Sequence, residues 1–488
     1  MRAMSIASVF VVVAALLVAS APVGAAELQP CRLRGVEHEA LCGSVQRALD
    51  PAHPQGTQID VHYAVLPALA RNKKPDPVFF FAGGPGQSAI DITGTVAATL
   101  GRFTNRRDIV LIDQRGVGRS APLTCEADDP ARPLAEQFDV ERLHARLARC
   151  FEQLKTLPHG DLRFYTTTVA MADADAVRAA LGAATINLVG GSYGSRAVLE
   201  YQRRFPQHVR RAVIDGVAPP DMVLPASLSS DNQAALDAVF AACALDAACN
   251  AREPQLAERW RALLGSLPKA ITLAHPLSGR SEPIVLRRDT LLSMVRGPLY
   301  MPVLASALPA ALGEATRGRF EPLAGLALSF AARRGERIAE GMHFAVVCAE
   351  DHPRVAAAID KPGADFGVTF AALYDDACAR FPVGAVADAF YTMGMASAAT
   401  LVLSGGSDPV TPPRHGERAA KALGAKARHV VVANAGHGVM AIACMRDVLY
   451  RFVDAPSDDE ALAVDASCAT SIPRPLPFAP VELKAAAR

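Results

Sequence analysis

The chain reads as an α/β protein, with a mostly parallel central sheet interrupted by an inserted and mainly helical block. Three observations predict this class. Short all-apolar runs alternate with helical stretches through the first half; helical spacing then takes over across 217–390; short apolar runs return after it. Alternating strand and helix signals of this kind are those of a sheet covered on both faces.

Taken in order, the run 59–66 alternates apolar and polar residues, as a strand buried on one face does. Runs 77–81, 108–112, 185–189 and 212–214 are short and almost wholly apolar, the pattern of strands buried on both faces. Helical patterns lie at 173–181 and 195–205. Amphipathic helices are expected at 232–245, 255–267, 289–295 and 302–315. Strands resume at 399–403 and 429–432, and the Pro- and Ala-rich tail after Asp454 is expected on the surface. The chain divides accordingly into a leader (1–26), a first part of the sheet core (27–216), a helical cap insertion (217–390) and a C-terminal part of the core (391–488).

The leader follows from Arg2, an apolar run over 9–18 and small residues over 21–26, the three-part pattern of a secretory signal peptide. Cleavage after Ala25 or Ala26 fits, with Ala26 preferred. The apolar run is short against the roughly 20 residues of a bilayer span. Ten cysteines follow the leader, and an even count in an exported chain reads as disulfides. Pairing sequence neighbours gives Cys31–Cys42, Cys125–Cys150, Cys243–Cys249, Cys348–Cys378 and Cys444–Cys468, a connectivity that sequence leaves open. With no C-x-x-C pair and no H-x-x-x-H cluster, no metal is expected. A net charge of +1 gives no reason to expect nucleic acid or an acidic membrane as a partner.

The strongest chemical signal is Gly190-Gly191-Ser192-Tyr193-Gly194, a G-x-S-x-G motif between an apolar strand and a helical segment. This places Ser192 as nucleophile on a strained strand-to-helix turn, with glycines where side chains would collide with the turn. The helix N-terminus behind it favours developing negative charge. The oxyanion hole is expected from the N–H of Tyr193 and from the glycine loop Gly83-Gly84-Pro85-Gly86, with Gly84 the preferred donor and Gly83 next. The order Ser, acid, His points to His437 in Asn434-Ala-Gly-His437-Gly438, after the 429–432 strand. His415 and His429 stand in weaker contexts, and His343 and His352 fall inside the insertion. For the acid, Asp408 follows the 399–403 strand in a Gly/Pro-rich turn and would orient the imidazole; Asp215, also at a strand end, is its rival. No cofactor is required by such a triad.

Phe81-Ala-Gly-Gly-Pro-Gly86, Asp113-Gln-Arg-Gly-Val-Gly-Arg-Ser120 and Gly190-Gly-Ser-Tyr-Gly194, in this order, resemble the proline iminopeptidase and tripeptidyl aminopeptidase family of α/β-hydrolases. Ser404-Gly-Gly-Ser-Asp408-Pro-Val-Thr-Pro412 and Gly436-His437-Gly438 fit its acid and base motifs. The resemblance is greatest to the exported, tripeptidyl-type branch. It implies an α/β-hydrolase fold with a helical cap, and Asp113, Arg115 and the motif's glycines buttressing the oxyanion loop. One departure is Ala82, where many relatives carry His.

The resemblance further implies a serine aminopeptidase that takes peptide substrates and releases one or a few residues, tripeptides included, from a free N-terminus. Such a site needs carboxylates for the substrate ammonium, and Glu350, Asp351 or both, near the end of the insertion, are the candidates; their competing role is to be solvated or paired with Arg354. Two other functions stand beside this one. A carboxylesterase or lipase on the same fold would need no ammonium site, and a non-catalytic binding protein would have no need of an intact triad.

Overall fold

The all-apolar runs become the centre of a nine-stranded sheet in a computed structural model that describes residues 28–333 and 338–479. The expected leader lies outside the described residues. The strands are β1 (Gln29–Cys31), β2 (Ala40–Ala48), β3 (Gln58–Leu66), β4 (Val78–Phe81), β5 (Ile109–Ile112), β6 (Ile186–Gly191) and β7 (Val209–Asp215). A separate hairpin supplies β8 (Lys269–Ala274) and β9 (Ser281–Leu286), and β10 (Thr400–Gly405) and β11 (Ala427–Val432) complete the large sheet. Its order is β1-β2-β3-β5-β4-β6-β7-β10-β11. From β5 to β11 every neighbouring pair is parallel, while β1, β2 and β3 add antiparallel pairs at one edge.

Alternation of side chains along each central strand explains why those strands are apolar throughout. Phe79, Phe81, Leu188 and Ile214 point into a core shared with Met171, Val177 and Val198, from the helices Thr167–Ala180 and Tyr193–Arg204. Val78, Phe80, Val189 and Val213 point the other way, against Val96 and Leu100 of the helix Thr93–Leu100 and Val448 and Phe452 of the helix Ala443–Asp454. Every residue of β4 and β5 is buried, so a polar side chain there would be costly without a hydrogen-bond partner.

Strands β1 and β2 were not legible in the sequence. β2 is half-exposed and interrupted by Gly43, so it lacks an apolar signature; it is held by pairing with β3 and by Cys31–Cys42. All ten cysteines pair with their sequence neighbours.

Between β7 and β10 the chain runs mainly through helices with a core of their own around Trp260, Leu236, Leu292, Leu312 and Phe320. Two features depart from the sequence reading. The β8–β9 hairpin stands where no strand was expected, because only Leu273, Ile284 and Leu286 of it are buried. The helix expected over 302–315 is two, Pro302–Ala305 and Leu308–Thr316. Pro309 has no N–H for the carbonyl one turn earlier, so the helix restarts there. The tail also differs: Ala461, Val464 and Ala469 are buried against the sheet, and Cys444–Cys468 clips this segment in place.

Candidate active site

Ser192 stands between β6 and the helix Tyr193–Arg204 with φ +56° and ψ −127°, a left-handed conformation that costs a non-glycine residue on the order of 1–3 kcal/mol. The two flanking glycines permit it. A Cβ on Gly190 would lie 2.2 Å from the Gly194 carbonyl oxygen, and one on Gly194 would lie 2.1 Å from that of Phe81. The turn is tied to the neighbouring strand by Ser192 N–H, which donates to the Asp215 carbonyl at 2.8 Å. As the first residue of its helix, Tyr193 has an N–H with no acceptor inside the helix.

Asp408 follows β10 and is 2% exposed. Its Oδ1 accepts the N–H groups of Val410 and Thr411, each at 2.9 Å. Its Oδ2 accepts the Thr411 hydroxyl at 2.8 Å and stands 2.8 Å from Nδ1 of His437. Burial raises the Asp408 carboxyl, but the adjacent His437 and the N–H donors outweigh it and the net shift is downward, so the group is held as carboxylate. His437 is seated from the insertion side by Tyr300, whose carbonyl accepts its N–H at 3.0 Å and whose ring meets the imidazole edge-on at 5.3 Å. An imidazole oriented at Nδ1 by a carboxylate has Nε2 left to accept and return a proton.

The rival acid, Asp215, does something else. Its Oδ2 accepts the N–H groups of Val439 and Met440, both at 2.8 Å, and so clamps the turn that follows His437. Burial pushes its carboxyl up to about 6. His415 is buried against Asp231, and His429 meets the Ser404 hydroxyl.

The glycine loop lies directly over the serine: a Cβ on Gly83 would sit 3.1 Å from that of Ser192. Asp113 supports the loop, accepting the Ser88 hydroxyl at 2.6 Å and the Ile90 N–H at 3.2 Å, while its second oxygen accepts the Arg119 N–H. Any side chain on Gly118 would overlap that oxygen, with a Cβ 1.8 Å away. Arg115 does not reach the loop. It is buried in an ion pair with Asp173 and donates to the carbonyls of Leu49 and Phe164, tying the β2 edge to the sheet's helices.

A cavity of about 520 Å³ opens above these groups. Gly83, Gly84, Ser192, Tyr193 and His437 line it from the sheet side; Arg296, Tyr300, Glu340, His343 and Asp351 line it from the insertion. Glu350 and Asp351 lie on a short π-helical turn, Val347–Asp351, and both are fully buried. Arg196, one turn after Ser192, pairs with Glu350 at 3.2 Å and with Asp351 at 3.0 Å. Glu350 also accepts the N–H of Thr167 at 2.7 Å and its hydroxyl at 3.0 Å. Burial pushes Glu350 up to about 7 and raises Asp351, with Arg196 pulling both back. Arg354, the partner considered from sequence, instead lies over the Tyr391 ring at 4.3 Å.

Several lining residues escaped the sequence reading. Arg196 carried a usable signal, four residues after the serine on the same helix. His343, set aside in the sequence as a residue of the insertion, has its Nδ1 3.2 Å from the Pro85 carbonyl, and Tyr300 and Arg296 belong to no motif; only the tertiary fold turns these three toward the cavity. Among the described residues no cluster of His, Cys, Asp and Glu is arranged to hold a metal ion.

Residues 76–270 match the α/β-hydrolase fold family, and residues 364–468 match the family of TAP-like proteins. A tripeptidyl aminopeptidase of Streptomyces coelicolor is 34% identical over 197 residues, covering 37% of this chain and 35% of that protein. The serine protease Hip1 of Mycobacterium tuberculosis is 29% identical over 326 residues, covering 62% and 61%. A proline iminopeptidase of Neisseria meningitidis is 27% identical over 168 residues, covering 34% and 41%. The chain thus spans about a third of the length of the tripeptidyl aminopeptidases it matches.

Proposed function

We propose that this chain, whose residues 76–270 match the α/β-hydrolase fold family and whose residues 364–468 match the TAP-like family, is an exported serine aminopeptidase. Ser192 Oγ attacks the scissile carbonyl as His437 takes its proton. The N–H groups of Tyr193 and of Gly84, with Gly83 beside it, receive the oxyanion. His437 returns the proton to the leaving amine, which departs and leaves an acyl-enzyme on Ser192. Water, deprotonated by His437, then releases the N-terminal fragment as a carboxylic acid. Asp408 holds the imidazole in the required tautomer and stabilises the imidazolium. Residues 217–390 act as the cap that closes over the cleft. The expected leader and five disulfides suit an exported chain in an oxidising compartment.

The observation that carries the aminopeptidase reading is the buried trio at the cavity wall, in which two carboxylates share one guanidinium. With both acids ionised the trio is one negative charge in excess, which suits a substrate ammonium. Asp351 lines the cavity and is the direct contact; Glu350 sets the charge from behind it. An esterase on this fold has no use for such a charge. The test offers the mature protein an Ala-Ala-Pro arylamide with a free amine and the same compound N-acetylated. Cleavage of the free-amine form alone is expected. Equal cleavage of both, or of neither while a short ester is hydrolysed, would overturn the reading in favour of an esterase.

A further inference from the structure

Resting on the aminopeptidase reading, we propose that Arg296 binds a carboxylate carried by the leaving fragment of the peptide, where the cleft meets a second, apolar cavity. Arg107, Arg146, Arg196 and Arg211 each have a buried nitrogen without an acceptor, yet each pairs with a carboxylate. Arg296 shares the buried, unbonded nitrogen and has no ion pair with a carboxylate among the described residues. Its guanidinium is positioned by the Phe370 ring, 5.3 Å away, and by the Tyr300 hydroxyl at 3.4 Å. The Nε of Arg296 is buried while the residue as a whole is only half-buried at the cavity wall, so a carboxylate entering there meets a cation that no carboxylate among the described residues neutralises.

Its location identifies the part of the substrate concerned. His437 returns its proton to the leaving amine, so the leaving fragment departs on the imidazole's side of the site. That side is covered by Tyr300, and Arg296 lies one helical turn before Tyr300, hence on the same helix face. Arg296, Tyr300 and Phe330 line both the catalytic cleft and a neighbouring cavity of about 400 Å³. The neighbour is walled by Leu134, Phe138, Leu273, Met294 and Leu328, so it accepts an apolar side chain next to the anchored carboxylate.

The carboxylate is either the C-terminus of a short peptide or an acidic side chain, and substrate pairs separate the two. With unmodified protein, kcat/KM is measured for Ala-Ala-Pro-Ala against its C-terminal amide, and for Ala-Ala-Pro-Asp-amide against Ala-Ala-Pro-Asn-amide. The carboxylate member of at least one pair should be preferred by about tenfold or more, the pair identifying the source. In Arg296→Met that preference should fall to near one, and Arg296→Lys, which keeps the charge, should retain part of it. Equal values within both pairs, with the free-amine arylamide still cleaved, would overturn the anchor and leave the aminopeptidase reading standing. Persistence of the preference in Arg296→Met would also overturn it. Failure to cleave the arylamide removes the aminopeptidase reading, and this inference with it.

Discussion

Replacing Asp408 by Asn keeps the shape of the side chain and changes one hydrogen-bonding face. Oδ1 accepts two backbone N–H groups at 2.9 Å each, so the amide oxygen must take that place. The opposite orientation would set an NH2 group against two N–H donors and leave both unsatisfied, at about 1–3 kcal/mol apiece. The amide nitrogen therefore occupies the Oδ2 position, facing the Thr411 hydroxyl, which can accept, and Nδ1 of His437. A donor there forces the imidazole into the tautomer with its proton on Nε2, where it cannot take the proton of Ser192. The expected cost is about 10⁴-fold in kcat, or roughly 5 kcal/mol of barrier, with the fold retained. The assay is kcat on the free-amine Ala-Ala-Pro arylamide, beside the thermal midpoint. A loss below about tenfold, together with a large loss in Asp215→Asn, would refute the reasoning and make Asp215 the acid.

Two further outcomes follow from the acid trio. Cys348–Cys378 closes a 30-residue loop whose first cysteine stands two residues before Glu350. Replacing both cysteines by serine should cost about 3–4 kcal/mol in chemical denaturation and raise KM for free-amine substrates more than it lowers kcat. An unchanged KM would separate the disulfide from the site. Glu350 has its carboxyl raised to about 7 by burial, so folding favours its protonated form. That contribution to stability is fully present below the ordinary glutamate range and is lost as pH rises through about 7. Wild type should therefore lose stability relative to Glu350→Gln between about pH 5 and pH 8, while its KM for the free-amine substrate falls as the charge appears. Parallel pH profiles for the two proteins, in melting and in KM, would count against a titrating Glu350.

The parts of the site carried by local chemistry were readable along the chain. The G-x-S-x-G turn needs glycine at 190 and 194 because backbone oxygens stand within 2.2 Å of where a Cβ would go, and that demand is written in the residues themselves. The central strands were readable for a similar reason: burial on both faces leaves a run of apolar residues with no alternation. The half-exposed β2 and the β8–β9 hairpin bury too little to leave such a trace.

Sequence alone determined the α/β class, supplied the serine–acid–histidine order on which the proposed triad rests, and set the pool of residues from which a site had to be drawn. It could not determine what the charged residues do to one another. Whether Asp215 or Asp408 faces His437, whether Glu350 and Asp351 pair with Arg354 or Arg196, and which way Arg296 points all depend on contacts between segments far apart in the chain. Backbone sterics and strand burial act over neighbouring residues and mark the sequence where they act. Charge pairing acts through space, and its partners are chosen only when the helices between β7 and β10 come to rest on the sheet.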